Sequence, residues 1–501
     1  MDLIANLAIG FDAAVTPLNL AYCFVGVLVG TLIGALPGLG PVATIAMLLP
    51  ITFGLPPVTS LIMLAGIYYG AQYGGSTTAI LINLPGESSS VITALDGYQM
   101  ARKGRGGVAL AVSAIGSFVA GTIATIVIAL CAPPLAQVAI QFGPAEYFAL
   151  MVLGLVGSIV LAQGPLLPAF GMIVLGLLLG TVGADPETSA PRFSGGLPEL
   201  ADGIGFVAVA MGLFGIAEMV SNVATMEGKG SAIRKVTSLT PTRSDMRRIV
   251  APILRGTAIG SVLGVLPGGG AILASFAAYS VEKKVARSEV PFGSGAIEGV
   301  AAPEAANNAG AQTSFIPMLT LGIPANPVMA LMIGALIIQG IQPGPAILRE
   351  QPQLFWGVVV SMWIGNAFLV VLNLPLIGLW VRLLSIPYHL LYPAILLFCA
   401  IGAFSVSNST FDLWLVAGFG AVGYVFSKLG CEPAPLVLAF ILGPMMEDNL
   451  RRALMLSRGD PSALVSSPIS IGLLVAAAVI LLAIISPAIR SGRMKAFQES
   501  A

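Results

Sequence analysis

Gly26-Val27-Leu28-Val29-Gly30-Thr31-Leu32-Ile33-Gly34-Ala35-Leu36-Pro37-Gly38-Leu39-Gly40 decides how the rest of the chain is read. Gly26, Gly30, Gly34 and Gly38 stand at every fourth position, which puts them along one helical face. In an apolar segment such a face lets another helix backbone come close. The pattern returns 230 positions later as Gly256, Gly260, Gly264 and Gly268, with Leu266-Pro267-Gly268-Gly269-Gly270 repeating Leu36-Pro37-Gly38-Leu39-Gly40. One broken, glycine-lined helix is therefore built twice, and paired breaks of this kind in a membrane chain point to a transport site.

The membrane setting follows from composition. Hydrophobic residues make up 56% of the 501 residues and charged residues only 9%, where a soluble domain carries roughly 25% charge. Apolar stretches near the bilayer-crossing length recur at 107–131, 146–163, 165–183, 203–222, 357–378 and 466–487. The expected fold class is an all-α polytopic membrane protein of about 10–13 transmembrane or re-entrant helices, with two inverted hairpin-containing repeats. The 60 glycines and 35 prolines often fall inside the apolar segments. A break at membrane depth is tolerated only where protein or a polar cavity satisfies the freed backbone, so a cavity is expected.

Zero net charge gives no sign of nucleic-acid binding. Cys23, Cys131, Cys399 and Cys431 show no paired spacing and read as small buried residues, with no disulfide framework or transition-metal site. The first 101 residues contain no Lys or Arg, so a removable signal peptide is not expected.

Basic residues orient the chain. Arg102, Lys103 and Arg105 place one loop in the cytoplasm, and the basic loop 227–255 belongs there too. The first glycine helix follows an uncharged-to-acidic end and the second follows a basic loop, which is why the two copies are expected to be inverted. Four regions result. Residues 1–226 form the first half, with a hairpin at 26–50 and a polar island at 72–90. After the loop at 227–255, residues 256–345 form the second core, with a re-entrant hairpin at 256–281 and an island at 303–327. Residues 346–501 supply scaffold helices and a tail. Arg451, Arg452 and Arg458 precede the last apolar helix while Arg490, Arg493 and Lys495 follow it, and both clusters cannot be cytoplasmic if that helix crosses once.

The islands carry the candidate chemistry. Gln72-Tyr73-Gly74-Gly75-Ser76-Thr77-Thr78 and Asn83-Leu84-Pro85-Gly86-Glu87 lie in the first copy, and Glu304, Asn307, Asn308, Thr313, Ser314, Pro324 and Asn326 in the second. Thr77-Thr78 is read as parallel to Thr313-Ser314, and Pro85 to Pro324. Such groups serve either helix-to-helix hydrogen bonding or a binding site. Neither island contains Lys or Arg, so a bound anion would rely on half-helix N-termini and on a co-bound cation. The candidate substrate- or ion-binding set is Gly38, Gly40, Ser76, Thr77, Thr78, Asn83, Pro85, Gly268, Gly270, Asn307, Asn308, Thr313, Ser314, Pro324 and Asn326. Glu304 is the coupling candidate, because an ionisable group at membrane depth is a functional hypothesis by default. An enzyme is not expected: His389 is the single histidine, and no metalloprotease, nucleophile-elbow or phosphate-loop motif is present.

With these residues in view, the chain resembles the large membrane subunit of the tripartite tricarboxylate transporters, the TctA-like family. The resemblance rests on Gly34-Ala35-Leu36-Pro37-Gly38-Leu39-Gly40-Pro41, the run Tyr68 to Leu81, Asn83 to Glu87 with Asp96-Gly97-Tyr98, Gly264 to Gly270, Pro303 to Ala309 and Leu321-Gly322-Ile323-Pro324. It implies a secondary transporter in the bacterial inner membrane, working by alternating access with a small TctB-like membrane subunit and a periplasmic TctC-like solute-binding protein. It implies citrate-like tricarboxylates or related carboxylates as substrates and a sodium ion or proton as coupling ion, with no other cofactor. A channel for small organic anions, and beyond it a membrane-embedded enzyme, are the competing readings.

Overall fold

The computed structural model describes residues 3–36, 40–83, 86–161, 166–185, 188–225, 239–266, 270–383 and 388–485. Gly38, Pro85 and Gly268 lie outside them, as do the first part of the basic loop and the carboxyl-terminal tail; so does the side chain of His389.

The first half runs α1 (Leu3–Ala14), α2 (Pro17–Gly34), α3 (Pro41–Phe53), α4 (Pro57–Ile82), α5 (Val91–Arg102), α6 (Gly106–Ala139), α7 (Pro144–Leu161) and α8 (Leu166–Gly180). A two-residue β-ribbon follows, Gly183–Ala184 against Pro191–Arg192. Then come α9 (Phe206–Ala210), a π-helical turn (Met211–Ile216) and α10 (Ala217–Thr225). The second half continues with α11 (Arg243–Val265), α12 (Gly270–Val285), α13 (Glu298–Thr313), α14 (Phe315–Leu321) and α15 (Pro327–Ile338). The last elements are α16 (Ile347–Glu350), α17 (Pro352–Asn373), α18 (Ile377–Leu383), α19 (Tyr388–Ser407), α20 (Thr410–Lys428), α21 (Pro433–Leu456) and α22 (Pro468–Ile485). The fold is all-α and polytopic. Among the described residues α2, α6, α11, α17 and α20 are long and apolar enough to cross a membrane, and seven further apolar helices are shorter.

Small residues set the packing. A Cβ at Gly26, Gly30 or Gly34 would strike the backbone of Met63, Ile67 or Ala71, so α2 lies directly and in parallel along α4. The contact is reciprocal: Gly66, Gly70 and Gly74 of α4 face the α2 backbone. In the second half Gly256, Gly260 and Gly264 of α11 meet Ala302, Ala306 and Gly310 of α13 in the same parallel arrangement. The buried glycine face read from the sequence is thus the seam of each helix pair, and the short α3 and α12 are the limbs between. α11 begins at Arg243, thirteen positions before the expected start of the second hairpin at 256. It is long enough to cross, because Thr242 and Asp245 form a capping box that starts the helix inside the basic loop.

The two seams fix a register between the halves. Ala71 stands where Gly310 stands, and Gly74, which faces Thr31, Gly34 and Ala35, stands where Thr313 faces Gly264. The same shift pairs Asn83 with Gly322, and both are left-handed helix ends followed two positions later by proline. By sequence offset alone the same shift sets Pro85, outside the described residues, against Pro324. Thr77-Thr78 and Thr313-Ser314 do not correspond: Thr313 takes the place of Gly74, three residues earlier, because backbone contact sets the register and the hydroxyl pattern does not.

Asp245 also joins the halves. Its carboxylate accepts from the Thr242 amide at 3.0 Å and from Arg105 at 2.6 Å, Arg105 lying between α5 and α6. Asp245→Ala removes the carboxylate half of the capping box, while the Thr242 Oγ1 bond to the backbone amide at 245 remains, and is expected to cost about 1 kcal/mol. It should lower the melting temperature of the purified protein; unchanged melting would mean the cap and the ion pair contribute nothing.

Candidate functional site

Four-residue spacing also builds the polar interior. Glu304, Asn308 and Gln312 form one stripe on α13, and Ser113, Ser117 and Thr125 form another on α6. The stripes meet in register. Ser113 donates to Glu304 at 3.0 Å, Asn308 donates to Ser117 at 2.6 Å, and Thr125 donates to Gln312 at 2.8 Å. Gly121 makes room for the last pair, since a Cβ there would press on Gln312 and Asn366.

Glu304 is fully buried at 0% exposure and is held by three hydroxyls from three helices. Ser76 of α4 donates to it at 2.7 Å, Ser113 of α6 at 3.0 Å, and Thr93 of α5 also donates. Each donor is neutral. The carboxylate is solvated by protein hydroxyls in place of water, an arrangement tolerated at membrane depth because both of its oxygens have hydroxyl partners.

Three positions along α13 from Glu304, Asn307 faces a second carboxylate. Its Nδ2 donates to Glu87 Oε1 at 3.2 Å, and Ser89 Oγ contacts Glu87, Gln72 and Asn307 together. Glu87 sits in extended backbone ahead of a 3-10 turn, Ser88–Ser90, just past the left-handed end of α4. Its place is fixed by small residues: a side chain at Gly75 would meet the Glu87 Cγ at 2.8 Å. Asp96, lower on α5, closes the same face by accepting from Tyr279 at 2.8 Å and from the Gly295 and Ala296 amides at 2.7 and 2.8 Å.

The candidate residues divide accordingly. Ser76, Glu304 and Asn307 come together in one buried cluster, and Asn308 borders it through Ser117. Thr77, Thr78, Thr313 and Ser314 instead donate back to carbonyls of their own helices, Tyr73, Gly75, Ala309 and Ala311, at 3.4, 2.8, 2.9 and 2.6 Å. Asn83 forms the exposed left-handed end of α4. Asn326 caps α15 by accepting from the Met329 amide at 3.0 Å and reaches Tyr68 at 3.3 Å; Pro324 lies two residues before it. Gly40 begins α3 beside Glu218 of α10, and Gly270 begins α12 beside Asn326 at a positive φ of 49°.

Sequence reading left Ser89, inside the island at 72–90, out of the candidate set and missed Thr93, Ser113 and Ser117. The signal for the last two was present in the every-fourth spacing of small polar residues in α6, the spacing already used for the glycines.

The comparisons accord with this architecture. The model of the tripartite tricarboxylate transporter TctA family matches residues 20–438. The chain belongs to that family. The TctA match covers both glycine seams and both clusters. An Agrobacterium vitis protein described as an uncharacterized 52.8 kDa protein in the TAR-I ttuC' 3'region is 60% identical over 499 residues, 100% of this chain and 99% of its own. Another from Agrobacterium vitis, described as an uncharacterized protein in the TAR-II ttuC' 3'region, is 58% identical over 240 residues, 48% of this TctA chain and 99% of its own. No solved structure matches. As a TctA-family member the chain is the large subunit of a tricarboxylate transporter, a multi-pass membrane protein of a transporter family.

Proposed function

We propose that this chain imports citrate-like tricarboxylates or related carboxylates through the bacterial inner membrane by alternating access, driven by a sodium or proton gradient. The observation that carries the reading is the buried cluster where α4, α5, α6 and α13 meet: two glutamates and several hydroxyls and amides, with no basic side chain among them. An oxygen-rich interior of this kind takes up a cation, and a substrate carboxylate then binds against that cation and the starts of half-helices such as α3, α12 and α15. Glu304 joins helices of both halves, so a change in its charge alters the contact on which the two halves move. A small TctB-like membrane subunit and a periplasmic TctC-like binding protein complete the transporter, the latter delivering substrate.

The test is uptake of labelled citrate into proteoliposomes holding this chain and its small partner, with the binding protein outside. Saturable uptake that requires both the binding protein and an inward cation gradient is the expected result. A non-saturable flux that follows the citrate gradient alone would make the protein a channel and end the alternating-access reading.

A further inference from the structure

The hydroxyl of Ser89 has one hydrogen and three claims upon it. Its Oγ lies 3.0 Å from Gln72 Oε1 and 2.8 Å from Asn307 Oδ1, and it also touches Glu87 Oε1. The Asn307 amide cannot be turned to relieve this, because its Nδ2 already donates to Glu87 at 3.2 Å and so its oxygen faces Ser89. Turning the Gln72 amide would still leave a carboxylate and an amide oxygen competing for a single hydrogen. Four oxygens thus converge with too few donors, in a place where Gln72, Ser89 and Asn307 are 1%, 1% and 0% exposed and Glu87 is 9% exposed. Water is not at hand to make up the deficit, and unsatisfied oxygens in such surroundings cost roughly 1–3 kcal/mol each.

Two neighbours are better supplied. Glu304 receives three hydroxyl donors for one carboxylate, although Ser76 divides its hydrogen with the Gln72 carbonyl at 3.0 Å. In the second half the seam register places Asn326 where Glu87 stands and Asn307 where Tyr68 stands. There the Asn326 amide simply donates to the Tyr68 hydroxyl at 3.3 Å, a neutral and balanced pair. The first half alone carries a carboxylate and a surplus of lone pairs.

We propose that Gln72, Glu87, Ser89 and Asn307 form a sodium site. It rests on the ion-coupled reading above and goes beyond it by placing the ion. Oxygen ligands suit a hard cation, and a single carboxylate among neutral oxygens balances one positive charge. Among the described residues no group of three or more His, Cys, Asp or Glu is placed to hold a metal, so the donor set is not that of a transition metal. The four ligands come from α4, the turn after it and α13, so a bound ion adds a tie between the two halves.

Melting of the purified full chain in detergent, without any carboxylate substrate, tests the site. Sodium chloride is titrated at constant pH with choline chloride holding ionic strength fixed. Sodium is expected to raise the melting temperature saturably where choline does not, and both Glu87→Gln and Ser89→Ala are expected to raise the half-saturating sodium concentration at least about tenfold. Should Glu87→Gln fail to fold, Ser89→Ala decides, since it removes one neutral ligand and no charge. A wild-type protein indifferent to sodium, or variants that keep the wild-type half-saturation, would overturn the proposal. So would a stabilisation that tracks pH without sodium and vanishes in Glu87→Gln, which would assign the missing hydrogen to Glu87 itself. Because no substrate is present, sodium stabilisation alongside failed citrate uptake would overturn the substrate reading and leave the site standing.

Discussion

Gly260→Val is expected to abolish uptake and to leave little of the protein folded after extraction into detergent. The position is the middle of the α11–α13 seam, where even a single added Cβ would lie 2.8 Å from the Ala306 Cα and 2.9 Å from its carbonyl carbon. Those are backbone atoms, which cannot rotate aside as a side-chain end can. Overpacking a well-filled interior costs about 1–3 kcal/mol, and here three carbons must be accommodated. The helix that would have to retreat is the one carrying Glu304, Asn307, Asn308 and Gln312, so every pairing with α6 and with Glu87 is stretched at once. Gly418→Val supplies the comparison, because a Cβ on that α20 glycine meets nothing within 4 Å. Size-exclusion profiles, melting temperatures and proteoliposome uptake of the two variants check the argument. Normal uptake by Gly260→Val would show that the seam is looser than its geometry and that the glycine repeat is not what brings the helices together.

The contrast between seam and cluster shows what the sequence made legible. Glycine at every fourth position has few uses inside an apolar helix, so Gly26, Gly30, Gly34 and their counterparts announced close helix contact before any coordinate was known. Glu304 was likewise conspicuous, a carboxylate in a segment that otherwise reads as interior. The α6 hydroxyls that meet its stripe were not. Ser113, Ser117 and Thr125 are single small hydroxyls in a 34-residue apolar helix, and a lone hydroxyl in such a helix usually bonds back to its own backbone, as Thr77 and Thr313 in fact do. Only the packing of α6 against α13 separates the two cases, and that packing is set nearly 200 positions away in the chain. Glu87 was named as the end of the first island, but its direction was not legible. Nothing local fixes where a residue beyond a helix end will point, and it took Gly75 and Gly86, by leaving room against α4, to fold it back into the interior. The three-residue error in matching Thr77-Thr78 to Thr313-Ser314 has the same root: hydroxyls can be aligned by eye, whereas backbone contact obeys the glycines.

Replacement of Glu304 separates structure from coupling. Glu304→Ala leaves the hydroxyls of Ser76, Thr93 and Ser113 without their common acceptor in a buried place, at a cost of about 1–3 kcal/mol for each group left unsatisfied. That variant is expected to melt lower and to transport nothing, an outcome that a purely structural glutamate would also give. Glu304→Gln is the informative change. It keeps the shape and one acceptor oxygen, so the protein is expected to fold, yet it removes the charge. Hydrogen bonds to a charged group are worth about 1.5–3 kcal/mol against about 1 for neutral ones. Weakening two or three of them together loosens the joint between α13 and the helices α4, α5 and α6 by roughly 3 kcal/mol, and each 1.4 kcal/mol is a factor of ten in an equilibrium. Uptake is therefore expected to fall about 100-fold, on the order of two such factors, while the protein stays folded with only the modest drop in melting temperature that such a loss implies, and binding-protein docking is kept. If Glu304→Gln takes up citrate as the wild type does, the charge plays no part and the three hydroxyls hold a structural carboxyl group; coupling would then have to run through Glu87 alone.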